Sequence, residues 1–149
     1  MPRFSTVSAK AFHPLGSSSV TRWVNSDLED AYFADHDPGE GQAGASIQLP
    51  QGAVVTRLTC EITDKDTTHN LECALLRHEI TGQFELARVT SSGSGGMSSY
   101  HDTSINLATI QNNAFGYSVV VENALNWKTA GSDLRIHRVF VEYTLNQVP

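Results

Sequence analysis

The sequence predicts an all-β fold: two antiparallel sheets packed face to face, a jelly-roll-like sandwich of about ten strands. Three observations carry this. The long segments alternate apolar and polar residues with period two, which gives each strand one buried and one wet face. Gly, Ser, Thr, Asn and Asp interrupt the chain roughly every 8–12 residues, the turn spacing of a sandwich or barrel. Helical periodicity is nearly absent.

Strands are expected over 8–12, 18–25, 30–35, 44–49, 53–63, 70–79, 84–91, 99–104, 116–123 and 133–144. In "GAVVTRLTCEIT", Leu58, Cys60 and Ile62 point one way, and Thr59, Glu61 and Thr63 the other. "NLECALLRH" places Leu71, Cys73 and Leu75 together, and "FGYSVVVEN" repeats the habit with Val119 and Val121. In "LRIHRVFVEYTL" the phase slips. Leu134 and Ile136 fall on one face, Val139, Val141 and Tyr143 on the other, and a bulge near His137–Arg138 returns both sets to the core. "TSINLATIQNNAF" reads either as one helical turn capped by Thr103 or Ser104, or as strand plus loop. "SSGSGGMSS", the one low-complexity patch, reads as a hairpin loop. The 149 residues make one domain, 1–149, long enough for a self-sufficient core.

Cys60 and Cys73 are the two cysteines. If their strands form a hairpin with Cys60 opposite Cys73, then Ile62 lies opposite Leu71 and Leu58 opposite Leu75, and every apolar residue shares one face. Two readings stay open: a pair of buried thiols, or a disulfide. A zinc site would need four ligands, and a redox pair would have C-x-x-C spacing. No cofactor is implied.

Ten Lys and Arg against sixteen Asp and Glu give a net charge of −6, with no basic run. This argues against nucleic acid and anionic membrane as partners. The chain shows no apolar run of signal-peptide or membrane-span length, so a soluble protein is expected. A virion or extracellular assembly fits equally.

Candidate chemistry is sparse. Asp35, Asp37 and Glu40 in "ADHDPGEGQ" have the carboxylate density of a hard-cation site without the EF-hand spacing; a solvated turn is the competing reading. Asp64, Asp66 and His69 sit in the turn after Ile62, where Asp and Asn serve turn geometry. His78, His101 and His137 lie on or near strands, but no G-x-S-x-G elbow nominates a nucleophile, and no catalytic residue is assigned. Trp23, Tyr32, Phe33 and Trp127 are candidate sugar-stacking aromatics, with Tyr100 a fifth near a strand end; burial in a core or subunit interface is the alternative.

The order of motifs, "AFHP", "IQLPQGAVVTRLTC", "LECALLR", "LARVTSSGSGG" and "DLRIHRVFVEYT", resembles a recurrent β-sandwich domain of uncharacterised bacterial and metagenomic proteins. The likeness runs from Ala9 to Thr144 and implies a fold without an activity. A looser architectural likeness is to the trimeric jelly-roll domains of phage fibres, capsid decoration proteins and C1q-like heads. That likeness implies a self-associating protein, as large as a trimer, with "FSTVSAKAFHPL" packed on a neighbour. The expected function is therefore a non-enzymatic module that assembles with copies of itself. The alternative is a carbohydrate-binding module with a glycan partner.

Overall fold

The computed structural model describes residues 2–15, 23–25, 30–33, 41–93, 95–123 and 127–145, and these form the two-sheet antiparallel sandwich that the alternation predicts. Eleven strands occur among the described residues: β1 (Arg3–Ser8), β2 (His13–Pro14), β3 (Trp23–Asn25), β4 (Ala31–Phe33), β5 (Gly41–Ser46), β6 (Ala53–Asp64), β7 (Glu72–Glu79), β8 (Gly82–Thr90), β9 (Met97–Asp102), β10 (Gly116–Asn123) and β11 (Leu134–Leu145). A helical turn, α1 (Trp127–Ala130), precedes β11. One sheet runs β3-β4-β11-β6-β9, with β1 also on β11; the other runs β2-β5-β10-β7-β8.

The expected hairpin of the two cysteine strands is not formed. β6 pairs with β11 and β9, β7 pairs with β10 and β8, and the two stand in opposite sheets. Cys60 and Cys73 are both fully buried and bonded to each other across the sandwich, with Cα atoms 6.7 Å apart. A hairpin and a face-to-face packing turn the same side chains inward, so alternation alone does not separate them. The thiol-pair alternative gives way to a disulfide.

The expected core is observed: Leu58, Ile62, Leu71, Leu75, Val119, Val121, Val139 and Val141 are buried with the cysteines, and Tyr143 is 9% exposed. β11 carries the bulge its phase slip implies. Ile136 faces Ile62 and Arg138 faces Glu61, leaving His137 extra. A second bulge, in β6, is new. Glu142 faces Arg57 and Tyr143 faces Val55, leaving Thr56 extra, its hydroxyl donating to the Glu142 carbonyl at 3.2 Å. This shift explains why Val55 and Leu58, three apart, are both inside.

Before β6, "LPQGA" makes a tight turn in which the Ala53 N–H donates to the Pro50 carbonyl at 3.1 Å. Gly52 there has φ +80°, a left-handed conformation in which glycine carries no Cβ penalty. The stretch from Thr103 to Phe115 is an irregular loop with one bridge: Val54 pairs with Thr109, Ile110 is buried, and the Phe115 N–H closes one turn on the Gln111 carbonyl.

The first strand lies earlier than expected. Residues 3–8 pair with β11, and a 3-10 turn follows at Ala9–Ala11. Ala9 and Phe12 enter this chain's own core, so the segment expected on a neighbouring subunit is used at home. Of the expected strand over 18–25 only the last three residues are described. No described helix is long and apolar enough to cross a membrane.

The disulfide closes a loop of thirteen residues' separation. Replacing it by Cys60→Ala/Cys73→Ala is expected to lower unfolding free energy by about 3 kcal/mol, from denatured-state entropy regained. Urea denaturation of the variant, beside wild type with and without reductant, measures this.

Candidate functional site

The outer face of the sheet containing β6 and β11 carries an open groove of about 510 Å³, lined by Phe4, Thr6, Arg57, Thr59, Phe140 and Glu142. Strand register places these side chains. Residues directly opposite on antiparallel neighbours share a face. Thr6 (β1), Phe140 (β11), Thr59 (β6) and His101 (β9) form one row across the sheet; Phe4, Glu142 and Arg57 form the next. The two bulges bracket this region and restore the inner face on either side of it.

Phe4 is 61% exposed and presents its ring to solvent. Phe140 is half-buried, and the Arg138 guanidinium lies 4.5 Å from its centroid. Arg138 is held in turn by Glu61 at 2.6 and 3.3 Å. The paired guanidinium thus stacks on the Phe140 ring. Arg57 and Glu142 pair at 3.3 Å along the groove's other row. Thr59 Oγ1 is 2.8 Å from His101 Nδ1, a hydrogen bond that orients the hydroxyl. The groove thus offers two phenyl rings, two threonine hydroxyls and one ion pair, Arg57–Glu142, with a second pair, Arg138–Glu61, beside it. Rings beside hydroxyls can meet a ligand that has both apolar C–H faces and a hydroxyl-bearing rim.

The sequence-nominated aromatics fall mostly elsewhere. Trp127 and Phe33 are fully buried, and Trp23 is half-buried against them. The three rings meet edge to face, with centroids 4.9 to 5.5 Å apart. Trp127 Nε1 donates to the Leu134 carbonyl at 2.9 Å, which satisfies its one polar atom inside. Gly41 lies under this cluster, where a Cβ would come within 2.7 Å of Phe33 and 2.8 Å of Trp127. Phe33 and Trp127 are therefore core residues without a ring face for a ligand. Tyr100 opposes Cys60, and its hydroxyl donates to the Ser92 carbonyl at 3.1 Å. Tyr32 alone of the four candidates turns outward, on the same face as the groove, with Arg135 stacked 4.7 Å from its centroid.

Asp35, Asp37 and Glu40 lie outside the described residues. Among the described residues no group of three His, Cys, Asp or Glu side chains is placed to hold a metal ion. His78, His101 and His137 do not converge; each meets a hydroxyl on an adjacent strand, Ser118, Thr59 and Thr63 respectively. Burial lowers the pKa of His137, against the pull of Asp30 and Glu61.

Asp64 and Asp66 organise the β6–β7 loop. The buried Asp64 carboxylate accepts from Ser91 Oγ at 2.5 Å and from the Asp66 N–H at 3.1 Å. Burial pushes its pKa up, against these hydrogen bonds. Asp66 accepts from the Thr68 and His69 N–H groups at 2.8 and 2.9 Å and lies 3.1 Å from His69 Nδ1. Partial burial raises its pKa, but hydrogen bonds from His69 and Thr68 outweigh that and bring it to about 2.

Sequence reasoning passed over the residues that line the groove. One signal was present: Phe140 stands in the wet phase of β11, between Arg138 and Glu142, where an aromatic has no core to fill. Phe4 gave no such signal, because β1 was expected later. A smaller cavity of about 250 Å³ lies on the opposite sheet, among His13, Leu15, Gly44, His78 and Ser118; it has no aromatic platform.

No family model and no curated protein matches the sequence. Solved structures match the fold. The C-terminal family 6 carbohydrate-binding module of a marine laminarinase from Zobellia galactanivorans aligns with a TM-score of 0.60 at 7% identity, over 95% of this chain and 100% of that one. A second family 6 module, described for dissection of its binding sub-sites, aligns at 0.59 and 12% identity, over 95% of each chain. A third, from Clostridium cellulolyticum in complex with xylose, aligns at 0.55 and 10% identity, over 92% and 95%. These neighbours support the β-sandwich expectation and not the likeness to phage or C1q-like trimers.

Trp127→Ala is expected to cost about 3–5 kcal/mol of stability, as a core truncation does, measured by chemical denaturation. For Asp66 the folded pKa of about 2 lies below the ordinary 3.8, so its stabilisation is present above that ordinary value and lost as pH falls through the folded one. Melting temperature is expected to drop between about pH 4 and pH 2 more steeply in wild type than in Asp66→Asn, as read by circular dichroism.

Proposed function

We propose that the protein is a non-enzymatic carbohydrate-binding module whose ligand lies in the groove on the outer face of β1, β11 and β6. The observation that carries this reading is the placement of two phenyl rings, Phe4 and Phe140, beside the hydroxyls of Thr6 and Thr59 on one sheet face. A sugar ring has apolar C–H faces and a polar rim. Aromatic side chains take the faces, while hydroxyls and charged groups take the rim. The fold shared with family 6 carbohydrate-binding modules supports the reading.

Glycoside hydrolysis uses a pair of carboxylates, one of them a proton donor. Glu142, the one carboxylate in the groove lining, and Glu61 on the same face are each held by an arginine, at 3.3 and 2.6 Å. That arrangement fits a static binding surface better than a proton donor. Self-assembly has no comparable support in the structure, since the segment invoked for it serves the chain's own fold.

Calorimetric titration with a panel of oligosaccharides tests the proposal. Phe140→Ala and Phe4→Ala are each expected to weaken binding by about tenfold or more, equivalent to about 1.4 kcal/mol. Melting temperature should stay close to wild type, because both rings lie on the solvent side of the sheet. Unchanged affinity in both variants would place the ligand elsewhere and sink the assignment.

A further inference from the structure

We infer that the groove takes an uncharged glycan chain, recognised along several consecutive sugars, and rejects uronic-acid chains. This rests on the carbohydrate-binding reading above and adds the ligand's charge and length.

Arg57 and Glu142 line the groove and pair with each other, and beside it Arg138, stacked on Phe140, pairs with Glu61. In each pair the carboxylate is the more deeply placed member. Glu142 and Glu61 are 19% and 13% exposed; Arg57 and Arg138 are 44% and 47%. A carboxylate on an incoming sugar would approach a guanidinium that already carries its own carboxylate. Attraction to the cation is offset by repulsion from the acid just beneath it. The chain's net charge of −6 adds a long-range field of the same sign. An uncharged sugar avoids these costs and stacks on Phe4 and Phe140.

Register sets the groove's length. The lining residues Thr6, Phe140 and Thr59 stand in one row across β1, β11 and β6. Two inter-strand steps of about 4.8 Å make a track about 10 Å long, more than one sugar ring fills. Phe4 and Phe140 lie on adjacent strands one row apart, a diagonal relation that separates their Cβ atoms by about 7 Å. Two rings so placed meet two different sugars of one chain.

The test is calorimetric titration at about pH 7.5, where sugar carboxylates are ionised. The probes are cellohexaose, laminarihexaose and xylohexaose, their monosaccharides, and hexagalacturonate. At least one neutral hexasaccharide is expected to bind about tenfold or more tightly than its monosaccharide. Its affinity should be nearly unchanged between about 20 and about 500 mM NaCl, because no ionic contact is screened. Hexagalacturonate should not bind wild type. Glu142→Gln, which frees Arg57 while keeping side-chain size, should acquire hexagalacturonate binding that weakens with salt. Binding of hexagalacturonate to wild type, or a folded Glu142→Gln that gains none, overturns the charge argument. A monosaccharide that binds as tightly as its hexasaccharide overturns the length argument. Either result leaves the carbohydrate-binding reading standing, whereas silence from every glycan removes that reading and this inference with it.

Discussion

Both faces of the larger sheet depend on the pairing of β6 with β11. On the inside this ladder sets Leu58 against Val141, Cys60 against Val139 and Ile62 against Ile136. On the outside the same rungs set Arg57 against Glu142, Thr59 against Phe140 and Glu61 against Arg138. Side-chain direction has a period of two, so a slip of one residue would exchange the two sets. The core and the groove are therefore two readings of one register. The bulges at His137 and Thr56 correct the phase where the apolar spacing breaks, one in each strand. Without them Leu134 and Ile136, or Val55, would face water.

Much of this was legible in the residues. Alternation identified the strands of the core and their inward residues, and the three-residue gap between Ile136 and Val139 marked the bulge in β11. Alternation states which face a residue occupies and leaves open which strand lies beside it. That is why the segments around Cys60 and Cys73 read as a hairpin although they belong to opposite sheets. Each segment needs an apolar surface opposite, and a facing sheet supplies it as well as a neighbour would. The sulfur bond then ties together two layers whose backbones share no ladder.

The groove was less legible for a related reason. Tryptophan and tyrosine near strand ends drew attention because of their size, yet large rings are also what fills the end of a sandwich. Trp127, Phe33 and Trp23 do that by packing edge to face over Gly41. The informative residue was the smaller Phe140, placed where the pattern asks for a polar side chain. Its neighbours in the row come from three other strands, β1, β6 and β9, far apart in the chain. Only the register brings them together. Arg138, paired with Glu61 and stacked on Phe140, limits the rotamer freedom which that ring would lose on binding.

Strand β1 has a mechanical consequence. Arg3 stands opposite Tyr143, so the first described strand and the last meet at one end of the sheet. Among the described strands β1 pairs with β11 alone. Tension drawn between those two points would part the seam rung by rung, as a zip opens, instead of loading all its hydrogen bonds at once. Phe4 and then Thr6 would lift off first, while the two layers stay joined at Cys60 and Cys73. A glycan bound as proposed would stitch that seam shut and harden the fold at the place where pulling opens it.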